Sequence, residues 1–344
     1  MKPPRTPAKI VVAAAVALVL AALAVRYTQA ATQRDQNQAP SQVASADEAN
    51  PGSGPKMQVL TNGRLSLVSR DHPDGPRTVT TQACDRAYAA AGTVVCLRPV
   101  DSSTGTHLVV LDAQLHERQS IALTGFPNRT RVSPSGRMVA WTLLVGGHGA
   151  FSASTGILDT QTGKLVPALE EFTVVKDGQP YHSTDVRFWG VTFADDNRFY
   201  ASMSTDGRGY LVVGDIAARQ VRTLAQSVDC PSLSPDGTRI AFTHAVGGAS
   251  QPPVRSQASP DPHGGHDGPE TTGRLSTLDL ATLQVTHLAE TRGVDDQAVW
   301  LDGGTVAYSL QRSDGTNDVW AVPADGTGTP RLLVQDASSP APPQ

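Results

Sequence analysis

The chain has 344 residues, a formal charge of −4 and only 17% charged residues, so it lacks the basic balance of a nucleic-acid binder. Glycine and proline make up about a sixth of it, 39% is hydrophobic, and there are only three cysteines. It is therefore not disordered throughout, has too few cysteines for a disulfide-built scaffold, and can bury a sizeable core.

The amino end reads as an address. Residues 10–25 form an unbroken apolar run, preceded by Lys2, Arg5 and Lys9 and closed by Arg26. A positive segment followed by an apolar one directs export, and the charges hold the amino end in the cytoplasm. Residues 1–26 are thus expected to form one transmembrane or signal helix. Two outcomes stay open: a retained single-pass anchor with everything after Arg26 outside the cell membrane, or secretion after cleavage near Thr28-Gln29-Ala30. The exported part would carry a net charge of −8. Residues 27–56 are rich in Gln, Ala, Ser, Asn and Pro. They cannot bury enough apolar area to offset their ordering entropy and read as a disordered stalk.

From Met57 onward no long segment has a helical apolar period. Short β-rich runs alternate with turn residues, which indicates an all-β fold. A hairpin recurs at 133–141, where Ser133-Pro134-Ser135-Gly136 precedes a strand ending in Trp141, and at 234–242, where Ser234-Pro235-Asp236-Gly237 precedes one ending in Phe242. Weaker copies lie at 91–96, 195–202 and 302–308. A second strand follows each hairpin and ends at Asp112, Asp159, Asp215, Asp279 or Pro323, with Ser69 in the first unit. Those side chains are expected to cap the next turn by accepting backbone N–H groups two residues on. A third strand closes each unit. The end residues are spaced by 43, 47, 56, 64 and 44, the length of a four-stranded propeller blade. The long intervals hold insertions around Val174–His182 and at 251–272.

Six second strands stand against five hairpins. The stretch after Asp336 is expected to supply the missing strand to the first blade and close the ring, which removes exposed sheet edges. The reading is a six-bladed β-propeller over 57–340 with a short tail at 341–344; seven blades would follow if an insertion hid a hairpin.

With these repeats the chain resembles the TolB-like, WD40-like propeller proteins of high-GC bacteria. The resemblance rests on 133–141, 233–242 and Phe188–Tyr200, and covers about 285 residues. TolB carries an α/β domain before its propeller and is a periplasmic partner of an envelope lipoprotein; here a membrane segment and stalk stand in that domain's place. The resemblance implies a ring that binds a ligand or protein rather than one that catalyses a reaction.

The candidate sites follow from the repeat. Cys84 and Cys96 align with Cys230 and Phe242 on facing strands of one hairpin. Facing Cβ atoms lie close enough for a disulfide, and an exported domain is in the oxidising compartment. Cys230 is left as a buried singleton. Trp141, Ser202, Phe242 and Tyr308 read as packing between blades. Asn128, Trp189, Asp229 and Asp295 fall at equivalent positions before the innermost strand, with Asp296 adjacent; such positions converge on the channel mouth. Three carboxylates there would offer oxygen ligands to Ca²⁺, or serve as turn caps and solvated loop acids. His263, His266 and Asp267 sit in the Pro/Gly-rich insertion, where no frame orients them for a metal. No Gly-x-Ser-x-Gly elbow, Walker loop or dinucleotide fingerprint is present. The expected function is a monomeric, non-enzymatic, membrane-tethered extracytoplasmic propeller, without a resident cofactor, that binds a protein or glycan of the cell envelope. The alternative is a metal-assisted hydrolase or lactonase-like propeller acting through the acidic channel mouth.

Overall fold

The computed structural model describes residues 55–100, 105–147, 150–245 and 273–342. The expected membrane segment, nearly all of the stalk, and the 251–272 insertion with His263, His266 and Asp267 lie outside these. No helix among the described residues is long and apolar enough to cross a membrane.

The strands form six blades in chain order, antiparallel except at one added pair in the fourth. Blade 1 contains β1 (Lys56–Thr61), β2 (Arg64–Ser69) and β3 (Thr78–Ala83). Blade 2 is β4 (Arg86–Ala90), β5 (Thr93–Pro99), β6 (Gly105–Leu111) and β7 (Glu117–Thr124). Burial explains the strand composition. The inner β5 is packed on both faces and is apolar and buried from Thr93 to Leu97, whereas the outermost β7 alternates exposed and half-buried residues, as a strand covered on one face must.

Blade 3 is β8 (Phe126–Val132), β9 (Met138–Gly147), β10 (Ala150–Asp159) and β11 (Leu165–Val166). Its β8–β9 turn shows why Ser-Pro-Ser-Gly recurs. The Ser133 hydroxyl accepts the Met138 N–H at 3.0 Å, and Gly136 has φ +79, with backbone of blade 2 close to where a Cβ would sit. The acids at the ends of the third strands cap turns in the expected way. Asp112 accepts the Gln114 N–H, Asp159 that of Gln161 and Asp279 that of Ala281, at 2.9–3.0 Å.

A one-turn 3-10 helix (Leu169–Glu171) leads to β12 (Thr173–Lys176) and β13 (Gln179–Tyr181). The insertion around Val174 thus does hide a hairpin, but it builds no seventh blade. β12 pairs parallel with β17 (Gln220–Gln226), the fourth strand of blade 4, whose other strands are β14 (Arg187–Phe193), β15 (Arg198–Thr205) and β16 (Arg208–Asp215). Blade 4 is therefore six-stranded. The hairpin is held by Lys176, whose ammonium lies 4.6 Å from the Tyr181 ring and 3.3 Å from Asp206, to which the Tyr181 hydroxyl also donates.

Blade 5 is β18 (Asp229–Leu233), β19 (Arg239–Ala245), β20 (Gly273–Asp279) and β21 (Val285–His287); blade 6 is β22 (Val299–Trp300), β23 (Thr305–Gln311), β24 (Asn317–Pro323) and β25 (Arg331–Val334). The last strand, β26 (Ser338–Ala341), returns to blade 1 and pairs antiparallel with β1, Gln58 facing Ala341 and Leu60 facing Ser338. It becomes the innermost strand of that blade. Trp141, Phe242, Tyr308, Ser202 and Cys96 are all buried, in the core between and within blades.

Candidate functional site: the channel mouth

The inner strands β8, β14 and β18 each carry a bulge near their amino ends. A bulge adds one residue to a strand and re-aims the side chains that follow. In β8 the extra residue is Asn128, between Pro127 (facing Leu143) and Arg129 (facing Thr142). Arg129 and Arg131 then share one face of the strand and enter the channel, both more than nine-tenths buried.

Their hydrogen bonds cross the ring. Arg129 donates to the Asn128 side-chain oxygen and, at 2.5 Å, to the Asp295 carbonyl. Arg131 donates to the carbonyls of Ala298 and Gln297 at 2.7 and 3.2 Å. Blades 3 and 6 stand opposite one another in a ring of six, so these arginines span the channel. The Arg131 guanidinium also lies 4.4 Å over the Tyr88 ring of blade 2, a cation–π contact. From blade 6, the Gln297 amide donates to the carbonyls of Gly190 and Val191 in blade 4 at 3.1 Å, and of Pro231 in blade 5 at 2.5 Å. The channel is thus cross-braced by three side chains.

Outside this brace lies a cavity of about 20 Å³, lined by Arg86, Asn128, Arg129, Arg131, Asp296 and Ser339 among others. Arg86 donates to the Asn128 carbonyl at 2.7 Å and lies 3.9 Å from Asp296. Burial works to raise the Asp296 carboxyl, but Arg86 and Arg129 outweigh it and hold the group below its ordinary value. Burial pulls Arg131 below its ordinary value, against the pull of Tyr88 and Asp296.

Of the five channel-mouth candidates, Asn128 and Asp296 come together at this cavity. Trp189 does not reach it; it is 1% exposed and packs with Ala153 and Cys230. Asp229 is half-buried and Asp295 exposed, and neither lines the cavity. Asp295 contributes its backbone carbonyl to Arg129 instead. Among the described residues no three His, Cys, Asp or Glu side chains are grouped so as to hold a metal ion. Sequence reasoning missed Arg86, Arg129, Arg131 and Gln297. The available signal was Arg129-Thr130-Arg131, two cations at strand spacing in an inner strand.

Cys84 and Cys96 are joined by a disulfide, with Cα atoms 5.4 Å apart. Cys84 precedes β4 rather than lying in it, and Cys96 faces Ala87 across the β4–β5 ladder. The bond therefore ties the crossover from blade 1 to the second strand of blade 2. Cys230 is a free, buried thiol, pushed up to about 11 by burial, which makes it unreactive.

No protein family's sequence profile matches the chain, and no curated protein sequence does. Among solved structures, the chain is similar to TolB from Acinetobacter baumannii, at 15% identity and a TM-score of 0.56, over 85% of this chain and 67% of that one. It is also similar to the tricorn protease, at 12% identity and a TM-score of 0.49, over 82% of this chain and 30% of that one. For a puromycin-hydrolyzing peptidase of Mycobacterium tuberculosis the identity is 15% and the TM-score 0.45, over 83% of this chain and 44% of that one. The chain thus spans less than half the length of either peptidase. At these identities the likeness concerns the fold alone: the described residues form an all-β, six-bladed propeller like that of TolB.

Proposed function

We propose that the chain is a non-enzymatic binding scaffold of the cell envelope, tethered to the membrane through residues 10–25 and presenting its propeller outside to a protein or glycan. The observation that carries this reading is the cross-braced channel. Arg129, Arg131 and Gln297 occupy the axis and fix five of the six blades to one another, while β26 closes the sixth. Such a ring loses little conformational freedom when a partner docks on its faces, and preorganisation of that kind favours binding. The same geometry weighs against the metal-assisted alternative. The guanidiniums beside Asp296 oppose a divalent cation at the mouth, and a metal-dependent hydrolase needs an ion with an open coordination position.

The test is crosslinking in cells with photoreactive residues on each propeller face, followed by mass spectrometry, with metal analysis of the purified chain in parallel. One reproducible envelope partner crosslinked from a single face is expected. Turnover of ester, lactone or peptide substrates by the purified chain, dependent on a stoichiometric metal, would overturn the reading.

A further inference from the structure

The channel mouth carries an imbalance that the brace does not resolve. Three guanidiniums and one carboxylate line the cavity. Arg129 and Arg131 donate to an amide oxygen and to backbone carbonyls, all neutral. Neutral acceptors satisfy N–H groups but cancel no charge, so among the lining groups the Asp296 carboxylate alone answers three cations, and buried charge is costly unless an opposite charge answers it. The Nε atoms of both arginines are moreover buried with no hydrogen-bond partner. The one lining carboxylate is already engaged, accepting the Gln297 N–H at 2.8 Å and standing 3.9 Å from Arg86. Asp229 and Asp295 lie nearby but outside the lining. Arg86 is the outermost of the three cations, with its side chain 34% exposed beside Asp296 at 20%. It therefore connects the cavity to solvent.

The geometry points to a carboxylate-binding site at the channel mouth, in which Arg86 grips the incoming group and Arg129 and Arg131 supply the field behind it. The guanidinium fork matches a carboxylate in shape and charge. A cavity of about 20 Å³ has room for one water-sized polar group, so a carboxylate would enter it with one oxygen leading. Ser339 at the rim, on the closing strand β26, adds a hydroxyl and has a left-handed backbone (φ 48). The inference concerns the ligand of this cavity and depends neither on membrane attachment nor on an envelope partner.

The experiment titrates the full-length protein with sodium acetate, reading saturation transfer to the acetate methyl protons by NMR and the thermal midpoint in parallel. Acetamide, the neutral isostere, and sodium chloride at matched ionic strength serve as comparison probes. A saturable acetate signal is expected, absent with acetamide, with a rise in midpoint that chloride does not reproduce. Arg86→Gln is expected to weaken acetate binding by about tenfold or more, the size of one charge-assisted hydrogen bond. Arg86→Lys, which keeps the charge and loses the fork, is expected to bind at an intermediate strength and provides the test if the Gln variant fails to fold. Equal responses to acetate and acetamide, equal midpoint shifts with acetate and chloride, or acetate binding unchanged in either variant would each overturn the inference.

Discussion

Two buried glutamines allow the cross-brace to be tested with a single substitution applied twice. Gln297 is 4% exposed and donates to three carbonyls of two other blades. Gln58, in β1, is 3% exposed, yet its amide nitrogen has no partner. Replacement by Leu conserves size and removes the amide. At Gln297 the two amide hydrogens serve three acceptors, so about two hydrogen bonds are lost and three buried carbonyls lose a donor. At about 0.5–1.5 kcal/mol per bond, with a further ~1–3 kcal/mol for stranded buried groups, partly offset by the apolar replacement, the cost is about 2–4 kcal/mol. At Gln58 no protein donor bond is lost and an unsatisfied buried group disappears, so the change is near zero or stabilising by up to about 1 kcal/mol. In a domain of this size each kcal/mol moves the thermal midpoint by about 2 °C. Gln297→Leu should therefore melt about 4–8 °C below the parent and Gln58→Leu at or slightly above it. Differential scanning calorimetry on the parent and both variants reads this directly. If Gln297→Leu melts with the parent, or the two variants shift together, the channel side chains do not brace the ring.

Four further outcomes follow from the same geometry. Loss of the Cys84–Cys96 bond, which closes a loop with a sequence separation of 12, should cost about 3 kcal/mol; alkylation of the unfolded, unreduced chain should label Cys230 alone, and three labels by intact mass would contradict the bond. Gly156→Ala would drive a Cβ into the Trp141 ring and should cost about 1–3 kcal/mol, read as a lower urea midpoint. Truncation before Ser338 removes β26 from beside β1 and should make blade 1 the first site of limited proteolysis, an outcome that an intact digestion pattern would exclude. Asp159 is held well below its ordinary value, chiefly by the Arg137 guanidinium, with a neutral hydroxyl and N–H groups adding to it. A depressed carboxyl stabilises the fold above its unfolded pKa of about 3.9 and ceases to do so as the pH falls through the folded value. Asp159→Asn should therefore lower stability at pH 7 and narrow the gap to the parent below about pH 4, measured by urea denaturation at each pH.

The blades were legible because each repeats the same local chemistry. Asp112, Asp159 and Asp279 announce their turns by what their own carboxylates can reach within two residues, and that information is entirely local. Ring closure was legible for a topological reason: one unit lacked a strand and the chain end had one to supply. The β12–β13 hairpin is the contrary case. Its strands look like any others, and what joins them to the outer edge of blade 4 is the parallel pairing of β12 with β17, with Lys176 reaching Asp206 beside it. Lys176 and Asp206 stand 30 residues apart in sequence, beyond the reach of any repeat pattern.

The channel mouth shows that an alignment places a residue along a strand without giving the direction of its side chain. Counting back from the hairpins lands within β8 and β14, on the first residue of β18 and four residues before β22, and Asn128 and Asp296 lie at one cavity. But side-chain direction in a strand depends on the parity of the count. The bulges in β8, β14 and β18 each change that parity by one. Trp189, before the bulge of its strand, turns into the core. Arg129 and Arg131, after theirs, turn into the channel. A bulge leaves no mark in composition beyond residues that tolerate positive φ, such as Gly190 with φ 64, and here Cys230 adopts it too with φ 50. Three guanidiniums and Asp296 therefore meet at the cavity, while Asp229 and Asp295 stay outside its lining. The attraction to carboxylates proposed for this cavity is what the titration with acetate, acetamide and chloride tests.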